Sequence, residues 1–440
     1  MKCLLLSHAF NMDGRAASLT VTDKLPYLQN HGWELFVLSA VTGSRDKQVR
    51  HRQIIGVGPS ALRFDLRHWI AMRVGRGTVY RLTTALLGIC LFPFVILEKA
   101  LLGLSSQWSW SLLAFLQGFI WIKRFNIELI YTSGGAWSAH LAGFWLSKVT
   151  RLPWIVELHD PLVDASLMPF VKTISQGQSR EVRFKATLER LICKNATLVW
   201  WFTEGAFQNA LLRNPELSGK GFYVLPGVAK PKVFARYQRE RTFNLSHFGS
   251  LSNTRSLTPL VEGLKEFFHL RPEVAGIIKV HIYGSTLDER SKQAISSFPT
   301  QDIFVLHGRV ETENGVSGRD RILELMQKTD FLVLLHGETD SCSEYIPSKL
   351  YEYWWAGRPV IGFSHKNQQL ERLLEQVNGC SELTVNGNNK LIDVLNCAYA
   401  RWEGGIYLKN AGNPITPESA VDEIVKRVNR KIDEKAHIKN

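Results

Sequence analysis

Two glutamates, Glu344 and Glu352, stand with seven residues between them in the stretch SEYIPSKLYEYWWAGRPVIGF (343–363), which follows one apolar run, DFLVLLH, and ends in another. Pro347 marks a helix start and Gly357 with Pro359 its end. That puts Glu344 on the loop after a strand and Glu352 about one and a half turns inside the helix. Leu350, Tyr353 and Trp354 recur at three-to-four spacing and can pack on the sheet, and Glu352 lies off that face. A helix start offers unpaired amides and the positive end of a dipole, and Lys349 adds a cation. The stretch could therefore bind a phosphate, with a carboxylate in reach to accept two hydrogen bonds from a ribose diol. An exposed helix carrying paired glutamates on its solvent face fits the same spacing, and the pattern leaves both readings open.

These residues need a sheet behind them. Strand-like runs alternate with helical ones from the start: KCLLLSH, a helical stretch over Ala16–Asn30, GWELFVLSA, then IELIYTSGG, PWIVELHD and ATLVWWFTE. Apolar runs that end in small or polar residues are the mark of buried parallel strands. After FYVLPGVAKPKVF (222–234), punctuated by Pro and Gly, a second series follows: LSHFGSL, IIKVHIYGS, DIFVLHGRV, DFLVLLHGE and RPVIGFS, separated by helical stretches at Ser256–Leu270 and Arg319–Lys328. The expected architecture is α/β, two tandem doubly wound, Rossmann-like parallel-sheet domains over 1–225 and 243–412, joined by a linker at 226–242 and closed by an amphipathic helix over 413–440. That helix starts at Thr416 and Pro417 and sets Val421, Ile424, Val425, Val428 and Ile432 at helical spacing. The Trp-rich pieces LVWWF and EYWWAG read as core.

A chain of 440 residues, 45% hydrophobic and 21% charged, has an ordinary globular composition and room for two cores. Its net charge of +13 points to an anionic partner: nucleic acid, a phosphate-bearing substrate or an acidic membrane surface. The six cysteines are scattered with no metal-ligand spacing and read as reduced thiols of a cytosolic protein. Two apolar tracts stand out, Leu82–Leu97 and Ala100–Ile122, the first interrupted by Pro93 and the second wet with Ser and Gln. Arg63, Arg67, Arg73, Arg76 and Arg81 precede or open them, with Asp65 the one acid among them. Cations beside Leu, Phe and Trp suit a membrane-contact segment near 63–122, and a pair of buried core helices is the alternative. GVGPSA (56–61) matches a dinucleotide fingerprint in form only, because Pro59 follows the second Gly and no acid stands about twenty residues on. No nucleic-acid recognition motif is present, and the basic residues lie beside apolar tracts, so nucleic acid is not an expected partner.

The run EYIPSKLYEYWWAGRPVIG resembles the signature of the family 4 glycosyltransferases of GT-B fold, of the bacterial surface-polysaccharide type. LSHFGSLSNTRSLTPLVEGL (245–264) is similar to the start of that family's second domain, PWIVELHDP (153–161) to its first-domain strand ending in a His-Asp pair, and YLQNHGWELFVLS (27–39) to the passage from its first helix into its second strand. The resemblance covers essentially the whole chain and is more specific in the second domain. It implies two domains facing a cleft. It also implies roles. Glu352 would bind the nucleotide ribose, Glu344 hydroxyls of the donor sugar, and Arg255 the departing diphosphate, with Gly249 admitting a close backbone approach. His159 would lie beside the reacting centre with Asp160 next to it, and the loop NMDGR (11–15), through Gly14 and Arg15, would face the phosphates. A lysine that family members often carry about five residues beyond the arginine is missing here, leaving Lys349 or Arg15 to take its place. The Asn of the usual P-N-G-V link is absent at Pro226-Gly227, and the first loop has one Gly where the family often has two.

The implied activity is a retaining transfer of a sugar, hexosyltransferase in type, from a nucleotide-diphosphate sugar to a polyprenyl-linked or glycan acceptor. The implied setting is cell-surface polysaccharide biosynthesis by a cytoplasmic protein peripheral on the inner face of the membrane. No Asp-x-Asp cluster suggests a divalent ion, so neither a cofactor nor an essential metal is expected. The rivals are a sugar-nucleotide epimerase of the same fold and a non-catalytic membrane-associated partner that retains it.

Overall fold

In the computed structural model, residues 1–12, 16–75, 77–104, 107–163, 180–232, 234–284, 286–313, 316–406 and 412–439 are described. Chain contacts divide the protein into two compact units, Met1–Pro226 together with Pro417–Asn440, and Gly227–Thr416. The first unit holds seven strands, β1 (Lys2–Leu6), β2 (Glu34–Ser39), β3 (Arg50–Gln53), β4 (Leu129–Gly134), β5 (Trp154–Leu158), β6 (Leu198–Trp201) and β7 (Gly221–Tyr223), in the order β3-β2-β1-β4-β5-β6-β7. Its helices up to Pro226 are α1 (Ala16–Thr22), α2 (Leu25–Asn30), α3 (Pro59–Val74), α4 (Thr78–Leu102), α5 (Trp110–Phe125), α6 (Trp137–Thr150), α7 (Arg180–Asn195) and α8 (Glu204–Arg213). In the second unit β8 (Phe243–Phe248), β9 (Ile278–Tyr283), β10 (Phe304–Gly308), β11 (Phe331–Leu334), β12 (Val360–Phe363) and β13 (Thr384–Val385) run in the order β10-β9-β8-β11-β12-β13. Around them lie α9 (Thr258–Leu270), α10 (Glu289–Ser296), α11 (Gly318–Lys328), α12 (Lys349–Ala356), α13 (Gln368–Asn378) and α14 (Leu391–Glu403). Every strand pair in both sheets is parallel. In each sheet the first strand is central and the order reverses beside it, which is the switch point of a doubly wound sheet.

The near-continuous apolar strands have the reason expected of them: both faces of the first sheet are covered. Along β1, Leu4 and Leu6 join one core with Trp110, Ala114 and Leu146, while Cys3 and Leu5 join the opposite core with Leu25, Leu28 and Trp33. The chain then makes a return that its order does not announce. The final helix, α15 (Pro417–Lys439), belongs to the first unit, where Val421, Ile424, Val425 and Val428 pack with Leu25, Leu28 and Phe222. The segment read as a linker lies along the second unit: Tyr237 hydrogen-bonds Asp330, its ring sits 3.5 Å from the Arg358 guanidinium, and the Ala235 amide donates to Gln327 at 2.6 Å.

The apolar region near 63–122 is not one segment but two kinds of helix. α5 is core: Trp110, Ala114 and Ile122 are buried, and Gly118 lets it approach α6 so closely that a β carbon there would lie 2.8 Å from Leu146. α4 is the opposite, with only Gly88, Val95 and Glu98 buried along its 25 residues. Among the described residues it is the one helix long and apolar enough to cross a membrane.

Candidate functional site

In the first unit the site is built by strand register. Ser133 of β4, Glu157 of β5 and Trp200 of β6 are paired side by side, and Tyr131 reaches the same face two residues before Ser133. Glu157, fully buried, is surrounded by donors: Tyr131 Oη at 2.7 Å, Ser133 Oγ at 2.7 Å, Trp200 Nε1 at 3.1 Å, and the ammonium of Lys24, which is buried too. Burial alone would raise the Glu157 pKa, but Lys24 and the hydrogen bond from His159 together hold it well below the usual carboxylate range. His159, just past β5, hydrogen-bonds this carboxylate through Nε2 at 2.9 Å and Ser133 Oγ at 3.1 Å, and stacks on Phe202 at 4.4 Å. Its Nδ1 has no hydrogen-bond partner among the described residues. The histidine expected at the reacting centre is therefore turned inward on a buried acid, with Nδ1 its one ring nitrogen left over. Asp160 is exposed and its carboxylate lies 2.9 Å from where a β carbon on Gly135 would be, at the turn after β4. Gly14 and Arg15 lie outside the described residues.

In the second unit each of β8, β9, β10 and β11 ends in an aromatic or histidine followed by glycine or runs to one: Phe248-Gly249, Tyr283-Gly284, His307-Gly308 and His336-Gly337. At Gly249 φ is +141°, a conformation side chains with a β carbon rarely adopt. Gly284 is demanded by contact, since a β carbon there would fall 2.4 Å from the Gly249 carbonyl. The residues before them form a stack, Phe248 on Tyr283 at 4.5 Å and Tyr283 on His307 at 4.1 Å. Beyond this stack Tyr283, His307, Arg309, Val310, Glu311, Thr312, Glu313, Arg321 and Leu325 line a cavity of about 620 Å³. Sequence reading passed over that cavity, although the repeated glycine at successive strand ends was a visible signal for it.

Arg255 follows β8 on a tight turn in which the amides and carbonyls of Ser252 and Arg255 bond each other at 3.1 and 2.8 Å. Its Nη2 donates to the Ser250 carbonyl at 2.8 Å, and its Nε has no partner among the described residues. Lys349 approaches from α12, its Cγ 3.9 Å from the position of a Gly249 β carbon. Behind Gly249 lies His247, buried and bonded through Nδ1 to the Val333 carbonyl at 3.1 Å, which leaves Nε2 as an acceptor with no partner among the described residues. Burial lowers its pKa to about 4, and the charges of Arg255 and Lys349 push the same way. With Arg255 on the Ser250 carbonyl and Lys349 beside Gly249, the two cations border one small region.

The two glutamates separate more sharply than their spacing suggests. Glu344 is buried at the end of a short 3-10 turn, Asp340–Glu344, rather than on an open loop. That turn is tied down by Asn367, whose Nδ2 donates to the carbonyls of Cys342 and Tyr345 at 2.9 Å each. Glu352 falls in the first turn of α12, not one and a half turns in, because the helix begins at Lys349 and Pro347 stands before it. The amides of Leu350 and Tyr351 close on the carbonyls of Pro347 and Ser348 at 3.0 and 3.3 Å, so these two are not free for a phosphate. Lys349 pairs with Glu352 one turn along. Leu350, Tyr353 and Trp354 pack inward as their spacing required, Tyr353 accepting from the Phe248 amide at 3.0 Å and donating to the Val333 carbonyl at 3.2 Å. Within this unit Gly249, Arg255, Lys349 and the α12 turn carrying Glu352 thus meet at the carboxyl ends of β8 and β11.

No known family profile matches the chain, and no curated protein matches it in sequence. Solved structures match it in fold. HepE of Anabaena, in complex with UDP-glucose, superposes with a TM-score of 0.55 over 99% of this chain and 100% of its own, at 13% identity. The chain has the GT-B fold. The lipopolysaccharide outer core galactosyltransferase WaaB gives 0.54 over 99% of this chain and 100% of its own, at 12% identity. A structure from Listeria monocytogenes described as a UDP-N-acetylglucosamine 2-epimerase gives 0.51 over 98% and 97%, at 10% identity. In doubly wound sheets ligands bind outside the carboxyl ends of the strands, and Gly249, Arg255, Lys349 and Glu352 lie at that edge of the second sheet.

Proposed function

We propose that this protein is a nucleotide-sugar-dependent glycosyltransferase that moves a sugar, with retention of anomeric configuration, from a nucleotide-diphosphate donor to a lipid-linked or polysaccharide acceptor. The observation that carries the reading is the meeting of two cations, Arg255 and Lys349, with Glu352 beside glycines that leave a ligand room, all at one strand-end edge. Arg255 pairs with the diphosphate as it departs. Lys349 gives up Glu352 for a phosphate oxygen while Glu352 takes the ribose diol, and Glu344 holds hydroxyls of the donor sugar. The cavity beside Tyr283 and Val310 receives the base. Fixed cations stabilise a leaving diphosphate by preorganised charge, without a divalent ion. In the first unit His159, with Asp160 next to it, is assigned to the reacting centre, and its Nδ1 is the ring nitrogen left without a partner among the described residues. The acceptor oxygen attacks the anomeric carbon on the face the diphosphate leaves, and the departing phosphate oxygen takes its proton, which retains the configuration without a covalent intermediate. The protein works at the cytoplasmic face of the membrane in assembly of surface polysaccharide.

The UDP-glucose bound to HepE and the galactosyl transfer named for WaaB support UDP-sugars as the first donors to try. The test is a thermal-shift screen of nucleoside diphosphates and their sugars on the wild type and Glu352→Ala. A donor that stabilises the wild type and loses that effect in the variant is expected, unchanged by EDTA; a donor that stabilises both equally would remove the ribose role. The epimerase reading is supported by the Listeria likeness. It requires conversion of the donor to its sugar epimer with no acceptor present, and that product, as distinct from donor hydrolysis, would decide in its favour.

A further inference from the structure

α4 carries a stripe with no partner among the described residues. Leu82, Leu86, Ile89 and Ile96 are 50% to 71% exposed and share one side of the helix, opposite Gly88, Val95 and Glu98, which are buried. An apolar helix that passes for a membrane span is most often either the buried core of a soluble domain or an N-terminal leader. This one begins at Thr78, and only 11% of its most apolar window is buried. Single exposed leucines are unremarkable, but a continuous stripe along a whole helix marks an interaction face. Its surroundings are cationic. Arg81 and Lys99 lie exposed at either end of α4, and Arg67 and Arg73 are exposed on α3, where Arg73 covers the half-exposed ring of Trp69 at 4.6 Å.

At 25 residues α4 is about 37 Å long, enough to cross a bilayer core of about 30 Å. Its attachments forbid that. α3 packs along it as the other arm of a hairpin, with the Arg63 guanidinium 3.3 Å from the position of a Gly88 β carbon. Near the far end the buried Glu98 accepts from the Ser60 amide at 2.8 Å and from Trp108 Nε1 at 2.6 Å. A spanning α4 would draw Arg63, Asp65 and Arg67 of α3 into hydrocarbon, where charged groups are costly. The hairpin base is fixed at the carboxyl edge of the first sheet: the Gly56 amide donates to Asp65 at 2.7 Å, the Gly58 amide to Ser109 at 2.8 Å, and His8, just past β1, sits 5.8 Å from Phe64 and 5.4 Å from Trp110, ring to ring.

We propose that the α3–α4 hairpin lies in the plane of an anionic lipid bilayer, its Leu82–Ile96 stripe in the acyl boundary and its arginines among the headgroups, so that the strand-end edge of the first unit meets lipid-linked acceptors at the surface. The inference rests on the membrane-acceptor reading above and names the element and the mode of contact. Charge complementarity selects the occupant: cations at both ends of an apolar stripe and on the helix packed behind it match anionic headgroups over acyl chains, and repel a second copy of the same basic face.

The full-length protein is sedimented with vesicles of phosphatidylcholine alone and of phosphatidylcholine with phosphatidylglycerol, at low and high salt. Binding to the anionic vesicles, weakened by salt and by omission of phosphatidylglycerol, is expected. The Leu86→Glu/Ile89→Glu variant should bind at least roughly tenfold less while keeping the wild-type melting temperature and nucleotide-induced shift. Alkaline carbonate should release the wild type from membranes. A wild type that stays in solution with anionic vesicles overturns the proposal, as does carbonate-resistant insertion, which would mean a span. A discrete dimer that the same variant dissociates, without vesicle binding, would assign the stripe to a second copy. The nucleotide shift is read separately, so loss of the donor reading and loss of the membrane reading are told apart.

Discussion

Replacing Lys24 by methionine tests the buried cluster beneath His159. The ammonium and the Glu157 carboxylate are 2% and 0% exposed, so the variant leaves a carboxylate stranded in the core of the first unit. Breaking one side of a buried ion pair costs about 3–5 kcal/mol. Here the stranded acid keeps Tyr131, Ser133, Trp200 and His159 as donors, which places the expected cost near the lower end, about 3 kcal/mol. Glu157→Gln should cost a similar amount, since it strands the lysine, and the double variant should cost less than the two together by at least about 2 kcal/mol. The pH dependence follows from the sign of the Glu157 shift. Its folded pKa is depressed, so its contribution is present above the unfolded carboxylate value and disappears as pH falls through the folded one; Glu157→Gln should flatten that acid limb. Hydrogen exchange in urea on peptides covering β5 and β6 reads the first unit alone. Lys24→Met within about 1 kcal/mol of the wild type, or additive single effects, would refute the assignment of this cluster as one coupled charge network.

Three further outcomes are expected. Arg255→Ala should weaken UDP binding by about 1.5–3 kcal/mol, roughly ten- to 150-fold by calorimetry, and leave binding of uridine unchanged, because the lost bonds are to phosphate. Glu352→Ala should cost affinity for UDP but not for its 2′,3′-dideoxy analogue, so equal losses for both in calorimetry would count against the diol contact. Asp65, whose pKa burial raises to about 7, stabilises the hairpin base below the unfolded value and loses that contribution as pH rises through about 7. Asp65→Asn should abolish this slope, worth at most roughly 4 kcal/mol, in hydrogen exchange of the 54–65 segment.

Much of the fold is local and was legible. Buried parallel strands must be apolar on both faces, and helices that cover a sheet must repeat at three to four residues, so KCLLLSH, PWIVELHD and the valines of α15 announced their elements without any partner in view. The ends of the strands were legible for the same reason: only glycine tolerates φ of +141° at Gly249, and the spacing of Glu344 and Glu352 across a loop and a helix start is a matter of chain geometry. Register and burial were not. Ser133, Glu157 and Trp200 become neighbours only when three strands align, and Lys24 reaches their cluster from 133 residues before Glu157. Nothing in one chain segment reports which other surface will cover it. Leu82–Leu97 and Ala100–Ile122 have similar apolarity, yet α5 found the first sheet and α4 did not. Composition sets how much each residue gains by leaving water; the tertiary structure decides which of them leave it by folding.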